Sequence, residues 1–173
     1  MSIQYSKKWL TLGLILSPFL MLTACSQTPN QSATAVTTTT LNAISARQFA
    51  EQNKKIVTDF YEGVFLKHQV KDYADRYIGM QYIQHNPHVP DGKAPFVEYF
   101  TGYFKENPNA KSVIKRAVAE GDLVFLHVHS TQNAQDPGVA VVDIFRIENG
   151  KIVEHWDVQQ EVPVEAANKN TMF

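Results

Sequence analysis

The hydrophobic pattern of the chain changes period near Ser112, and this change constrains the fold more strongly than any other feature. After this point four segments alternate apolar and polar residues, which is the pattern of half-buried β-strands. These segments are SVIKRAVAE, LVFLHVHST, GVAVVDIFRIE and KIVEHWDVQQ. Tight turns are expected at Gly121 and at Asn149-Gly150, and the second is a strong type I′ hairpin signal. The second half of the chain therefore predicts a meander of long antiparallel strands.

Before that point apolar residues recur at helical spacing. A first helix is expected from a capping box at Ser45 and Gln48, and a second around residues 71–77. A third should begin near Pro95 and end at Asn107. Its aromatic face contains Phe96, Tyr99, Phe100, Tyr103 and Phe104. Three helices followed by an antiparallel sheet predict an α+β fold, and a curved sheet wrapped around this face would leave a cone-shaped, ligand-binding cavity.

The N-terminal segment has the features of an export signal. Lys7 and Lys8 precede the apolar run 9–22, which is shorter than the roughly 20 residues that a membrane span needs. The run ends in LTAC, and Cys25 is the one cysteine, so no internal disulfide can form. This segment resembles a bacterial lipoprotein signal peptide. The resemblance implies cleavage before Cys25, a stable multi-acyl membrane anchor and, with Ser26 next in sequence, location at the outer membrane, facing the periplasm. A plain secretory signal is the alternative.

Composition indicates one globular domain and argues against nucleic acid as a partner. The chain is 44% hydrophobic and 19% charged, and its net charge is −1, without the basic surplus of nucleic-acid-binding proteins. Residues 1–24 are expected to be the signal peptide. Residues 25–43, rich in Ser, Thr, Gln and Ala, should form a flexible tether. The folded domain should span residues 44–164, followed by a tail at 165–173.

Three motifs carry a resemblance to a known family: YIQHNP, GDLVFLHVHS and VVDIFRIENGKIVEHWDVQQ. With the order of the elements, they make residues 45–160 similar to the SnoaL-like branch of the NTF2-like superfamily. The resemblance implies three helices on a curved sheet, often a homodimer formed through the sheet, and no cofactor. It implies activities such as aldol ring closure by polyketide cyclases or ketosteroid isomerisation. Epoxide hydrolases and non-catalytic binding modules share this fold, so the fold alone does not define the function.

The two-residue turn of the last hairpin sets the register of its strands. Counting back from the turn places Asp143 opposite Trp156, and opposed residues share a face of the sheet. Phe145 lies on the same face, whereas His155 and Asp157 lie on the other. A β-bulge in the last strand would bring Asp157 inward instead.

Asp143 is the expected catalytic base. Burial without a charged partner raises the pKa of a carboxyl group, which can then remove a proton next to a carbonyl. A three-residue loop at Gln135 to Pro137, before the third strand segment, would place His129 opposite Asp143, as its orienting or acid partner. A loop one residue longer or shorter would reverse this placement.

Further residues are expected to bind the substrate. The resemblance places Tyr82 and His85 at the mouth of the cavity, where neutral donors such as these and His127 would stabilise an enolate oxygen. Aromatic walls would hold a flat, apolar molecule. The Asp157 carboxylate matches the position of the base in some epoxide hydrolases of the superfamily. The expected substrate-binding residues are Tyr82, His85, His127, Phe145, Trp156 and Asp157.

Two other functions remain open. One is non-catalytic binding of small apolar molecules at the cell envelope, which suits a lipid-anchored protein. The other is a metal site formed by His127 and His129 with Asp143 and His85. The chain has no HExxH motif and no pair of cysteines, and the resemblance implies that no metal or other cofactor is needed.

Overall fold

The computed structural model describes the backbone of residues 31–173 and the side chains from residue 39 onward. The expected signal peptide and Cys25 lie outside this part of the chain. No helix within the described residues is long and apolar enough to cross a membrane.

Three helices and five strands form the domain. In chain order they are α1 (Gln31–Phe65), α2 (Val70–Tyr77), β1 (Ile78–Gln84), α3 (Lys93–Glu106), β2 (Lys111–Glu120), β3 (Leu123–Thr131), β4 (Val139–Glu148) and β5 (Lys151–Glu161). The three expected helices and four expected strands are all present.

Helix α1 begins earlier than its predicted start. It runs from Gln31 rather than from Ser45, so residues 31–43 of the expected flexible tether are helical. Every side chain from residue 39 to residue 49 is exposed, and Ala50 is the first buried one. Between residues 39 and 49, α1 is therefore exposed to solvent, and from Ala50 onward the helix packs against the rest of the domain.

The sheet is mixed, whereas the sequence predicted a purely antiparallel one. Its strand order is β1-β5-β4-β3-β2. Strands β2 to β5 form the predicted antiparallel meander. Strand β1 joins the edge of the sheet and runs parallel to β5. The short extended segment before the Pro-rich turn is thus a fifth strand.

A β-bulge changes the register of the last hairpin. Glu148 pairs with Lys151 across the turn, as predicted, but Arg146 pairs with Glu154. Val153 is therefore an extra residue in β5. Because side chains alternate along a strand, one extra residue reverses the face of every position beyond it.

The core lies between the helices and one face of the sheet, called here the inner face. Phe60 of α1 is at its centre, with ring centroids 5.8 Å from Phe96 of α3 and 6.1 Å from Phe145 of β4. Strand β3 contributes Leu126 and Val128, both fully buried. Burial of such apolar groups is the main favourable term in folding, and it fixes which face of each strand turns towards the helices.

Candidate active site

A cavity of about 810 Å³ lies between the helices and the inner face of the sheet. This volume is within the range of pockets that bind small molecules. One wall is aromatic and comes mainly from α1 and α3, with Phe60, Phe65, Phe96, Tyr99, Phe100 and Tyr103. The opposite wall is the sheet, and it carries Asp143, His155 and Asp157. The cavity can therefore hold an apolar molecule against a few polar side chains.

Asp143 is the buried carboxylate of this cavity, with only 6% of the residue exposed. It lies on β4 and pairs directly with Asp157 of β5. The Tyr61 hydroxyl donates a hydrogen bond of 2.9 Å to its Oδ2 atom. Nε2 of His155 lies 3.0 Å from its Oδ1 atom. These contacts compensate for the loss of water that would otherwise make a buried carboxylate costly.

His155 is held at both ring nitrogens. Besides the contact with Asp143, its Nδ1 lies 2.7 Å from Oε1 of Gln84 on β1. The backbone N–H of Asn86 also donates to this Gln84 oxygen, at 3.2 Å. The imidazole ring packs against Phe145, with centroids 4.8 Å apart. The ring is thus fixed in position and in plane beside the carboxylate.

A second carboxylate, Asp157, faces the same cavity. The bulge in β5 turns it inward, and it is half-buried. The side-chain amide nitrogen of Asn86 contacts both of its oxygens, at 3.0 and 2.7 Å. Asn86 therefore orients Asp157 and, through its backbone N–H, also orients Gln84.

Two buried tyrosines keep their protons at neutral pH. Burial, followed by the nearby Asp143 carboxylate, raises the pKa of Tyr61 well above its usual value. The same two causes raise the pKa of Tyr82, which lies on β1. Removing a phenolic proton in this environment would create a second buried negative charge. Both tyrosines are therefore neutral hydrogen-bond donors at the cavity.

Three of these side chains are close enough to share a cation. Asp143, His155 and Asp157 each offer one ligand atom, and these atoms lie within 4.8 Å of one another. Each of the three side chains already has a hydrogen-bond partner in the protein. Hydrogen bonds within the protein therefore already hold each of the three side chains in place.

The predicted placement of His127 and His129 is wrong. Asp143 pairs with Leu126, and His129 pairs with Ala140, so both histidines point away from the cavity, towards the outer face of the sheet. There they stack on Phe173, with centroids 5.4 and 4.3 Å away. The connection before β4 is longer than three residues, and burial of the apolar residues of β3 selects the register. The metal site proposed around these histidines does not form.

His85 and Trp156 also lie outside the cavity lining. The bulge turns Trp156 to the outer face, opposite Ile144. His85 stacks on it with centroids 4.6 Å apart and an interplanar angle of 4°. Nε2 of His85 also contacts Glu154 at 2.8 Å. This contact, followed by that of Arg146, lowers the pKa of the Glu154 carboxyl group.

Three expected substrate-binding residues do reach the cavity: Tyr82, Phe145 and Asp157. Four further residues of the site were not expected from the sequence: Tyr61, Gln84, Asn86 and His155. The sequence does indicate that Tyr61 faces the core, because it lies four residues after Val57 on the apolar stripe of the first helix. The others could be identified only from long-range pairing and from the bulge.

The family model of SnoaL-like polyketide cyclases matches residues 55–168 of this chain. No curated protein matches the chain at a significant level.

Solved structures with a similar fold come from several bacteria. A provisionally assigned ketosteroid isomerase from Kribbella flavida DSM 17836 has a TM-score of 0.56 and 14% identity, covering 69% of this chain and 85% of that chain. A provisionally assigned SnoaL-like polyketide cyclase from Jannaschia sp. CCS1 has a TM-score of 0.54 and 18% identity, covering 64% and 87%. An NTF2-like protein of unknown function from Mesorhizobium loti has a TM-score of 0.53 and 21% identity, covering 64% and 93%. At these identities the similarity establishes the fold alone.

Proposed function

The chain belongs to the SnoaL-like polyketide cyclase family, and we propose that it removes a proton from the carbon next to a carbonyl group of a small apolar molecule, without a cofactor. The reaction is an aldol-type condensation or cyclisation, or an isomerisation. The observation that carries this proposal is the buried Asp143 carboxylate in the cavity, flanked by the Tyr61 hydroxyl and the His155 imidazole.

Asp143 is the proposed base. The C–H bond of the substrate breaks, its proton passes to an Asp143 oxygen, and the electron pair moves to the carbonyl oxygen as an enolate. In a cyclisation the enolate carbon attacks a second carbonyl, and the new alkoxide takes the proton back. In an isomerisation the proton returns to another carbon. In both cases Asp143 ends the cycle as it began.

Neutral donors stabilise the enolate as its charge develops. Tyr82 is buried at the cavity and, because its pKa is raised, its hydroxyl remains protonated and can donate to the enolate oxygen. His155 orients the base through its Nε2 atom. The aromatic wall from α1 and α3 would hold a flat apolar ring system and exclude water from the reacting atoms.

The test is deuterium exchange at the carbon next to the carbonyl, measured by NMR for a panel of enolisable ketones in D₂O. Asp143→Asn should lower the exchange rate by about 100-fold or more, the usual size of a general-base contribution. Asp75→Asn, on the exposed surface of α2, is the matched control and should leave the rate unchanged. Equal rates for the wild type and Asp143→Asn would overturn the proposal. Loss of exchange on adding a chelator would instead indicate a metal ion.

The second candidate is a non-catalytic binder of small apolar molecules. One observation favours it: both Asp143 oxygens already have partners within the protein, as in a carboxylate that only stabilises the fold. In that case apolar ketones would bind in the cavity and quench the fluorescence of its tyrosines, but no ketone would exchange deuterium.

We also propose that the protein is anchored to the bacterial envelope through a lipidated Cys25. The supporting feature is the LTAC motif after a short apolar run. Cells that express the full chain should incorporate labelled palmitate into it, and Cys25→Ser should abolish the label and release the protein from the membrane fraction. Ser26→Ala, at the neighbouring position, should keep the label. Labelling of the Cys25→Ser variant would overturn the proposal.

A further inference from the structure

We infer that Gln84 is a positioning residue that fixes a proton on Nδ1 of His155, so that Asp143 and His155 share one transferable proton. The inference about the proton rests on hydrogen-bond geometry. Its catalytic consequence rests on the function proposed above.

The orientation of the Gln84 amide is determined by its neighbours. Its Oε1 atom lies 3.2 Å from the backbone nitrogen of Asn86, which can only donate. A reversed amide would place two donors against each other. A side-chain hydrogen bond with Gln84 also acts against the rise in the pKa of Tyr82, which agrees with an amide N–H that donates to the phenol oxygen. The backbone N–H of Asn86 therefore requires the Gln84 oxygen to lie where it contacts His155.

This orientation determines the state of the imidazole. An amide oxygen accepts hydrogen bonds and cannot donate them, so the contact of 2.7 Å with Nδ1 of His155 requires a proton on Nδ1. Each neutral imidazole carries one proton, so a neutral His155 held in this way has a bare Nε2 atom. Gln84 thereby excludes the neutral form with its proton on Nε2.

The contact between His155 and Asp143 then requires one more proton. Nε2 and Oδ1 are 3.0 Å apart, and two unprotonated acceptors would repel each other at this distance. The proton lies either on Nε2, giving an imidazolium and a carboxylate, or on Oδ1, giving a neutral imidazole and a carboxylic acid. The Tyr61 hydroxyl, which donates to the other oxygen, is compatible with both. The pair is therefore neutral as a whole, with one proton that can move.

The surroundings of His155 supply mainly acidic groups. The other titratable groups that line its cavity are Tyr61 of α1, Tyr82 of β1, Tyr99 and Tyr103 of α3, the exposed Lys111 of β2, Asp143 of β4, Asp157 and Glu161 of β5, and His88 and Asp136 of the connecting loops. Asp143 and Asp157 each have a carboxylate oxygen within 4.8 Å of a ring nitrogen of His155. In the imidazolium form Asp143 is a carboxylate that can accept the substrate proton, and the adjacent positive charge stabilises the enolate.

Two substitutions of Gln84 separate this role from simple packing. Gln84→Met keeps the length of the side chain but removes the acceptor, so the neutral ring should move its proton to Nε2. Gln84→Glu places a carboxylate at Nδ1 and should hold the imidazolium to a pH about one unit higher or more. Gln81→Glu, at an exposed position of the same strand, is the matched control and should change neither property.

The primary measurement is ¹⁵N NMR of the imidazole nitrogens across a pH titration of the labelled protein. Nδ1 of His155 should be protonated at neutral pH in the wild type. In Gln84→Met the neutral ring should instead carry its proton mainly on Nε2. An unprotonated Nδ1 in the wild type would overturn the inference. A melting curve for each variant identifies any that is unfolded, and the Gln84→Glu titration then provides an independent test.

Deuterium exchange supplies the catalytic readout. Gln84→Met should lower the exchange rate by about 10-fold or more, and Gln84→Glu should move the loss of activity at high pH upward. If NMR shows the fixed Nδ1 proton but no ketone exchanges, the proposed function fails and the proton assignment stands. If exchange is normal in Gln84→Met while its tautomer has changed, the positioning role fails and the proposed function stands.

Discussion

At the scale of single residues, the site is defined by how two carboxylates are held. Asp143 is almost fully buried and is bonded by a hydroxyl and an imidazole. Asp157 is half-buried and is bonded at both oxygens by the amide of Asn86. The first arrangement can pass a proton between the carboxylate and the imidazole, because each of these groups can hold one. The second cannot, because an amide does not titrate. The two acids are therefore chemically distinct although they are neighbours across a strand pair.

Substitution of Tyr61 measures how much the buried Asp143 carboxylate depends on its hydrogen-bond donor for stability. Tyr61→Phe retains the ring that packs against Phe65 at 4.4 Å and removes only the hydroxyl. Because one oxygen of Asp143 then loses its donor inside the protein, we expect the free energy of unfolding to fall by about 1–3 kcal/mol. Urea denaturation measures this loss. Tyr99→Phe, at a residue that is 59% exposed, is the control and should change stability by less than about 0.5 kcal/mol. Equal stability of both variants would show that Asp143 does not depend on Tyr61.

At the scale of elements, β5 shows how one residue determines a site. Its alternating pattern predicted the strand correctly, and the Asn-Gly turn predicted the first two pairs of the hairpin. The sequence contains no local signal for the bulge at Val153. Beyond the bulge His155 and Asp157 exchange faces with Trp156, and this exchange brings an imidazole and a carboxylate into the cavity.

In strand β3 the sequence also left open which face of the strand turns towards the helices. Its two histidines alternate with Val124, Leu126 and Val128, and either set could have faced the helices. The three apolar side chains are fully buried in the structure, and their burial outweighs any gain from an inward imidazole, which would need a partner. Counting loop residues could not decide this register, whereas comparing the two faces of the strand by hydrophobicity could have done so.

Long-range pairing limits prediction most clearly at β1. The presence and order of the helices and hairpins follow from local periodicity and turn residues and were predicted correctly, whereas the start of α1 and the register of the last hairpin were not. The parallel pairing of β1 with β5 joins segments about 70 residues apart in sequence, and no local pattern encodes it. Gln84 reaches His155 only through this pairing, so the part of the site contributed by β1 could not be derived from the sequence alone.

At the scale of the whole molecule, the helices cover only the inner face of the sheet. The outer face carries valines with substantial exposure, including Val118 at 61% and Val158 at 67%. Val142 on β4 pairs with Val158 on β5 and extends this apolar surface. The ring of Phe173 covers the part of the outer face around the histidines of β3. Val142 and Val158 therefore form an exposed apolar patch on the side of the outer face formed by β4 and β5, and such a patch can mark a protein–protein interface.

This surface predicts a homodimer formed by β4 and β5 of two copies. Val158→Glu places a charge at the centre of the apolar patch, where burial against a second copy would leave it unpaired. We expect sedimentation equilibrium to give the mass of a dimer for the wild-type domain and that of a monomer for the variant, with unchanged circular dichroism. Val164→Glu, at a residue that is 92% exposed beyond the last strand, is the control and should remain dimeric. A wild-type domain that sediments as a monomer would contradict the prediction, and so would a Val158→Glu variant that remains a dimer.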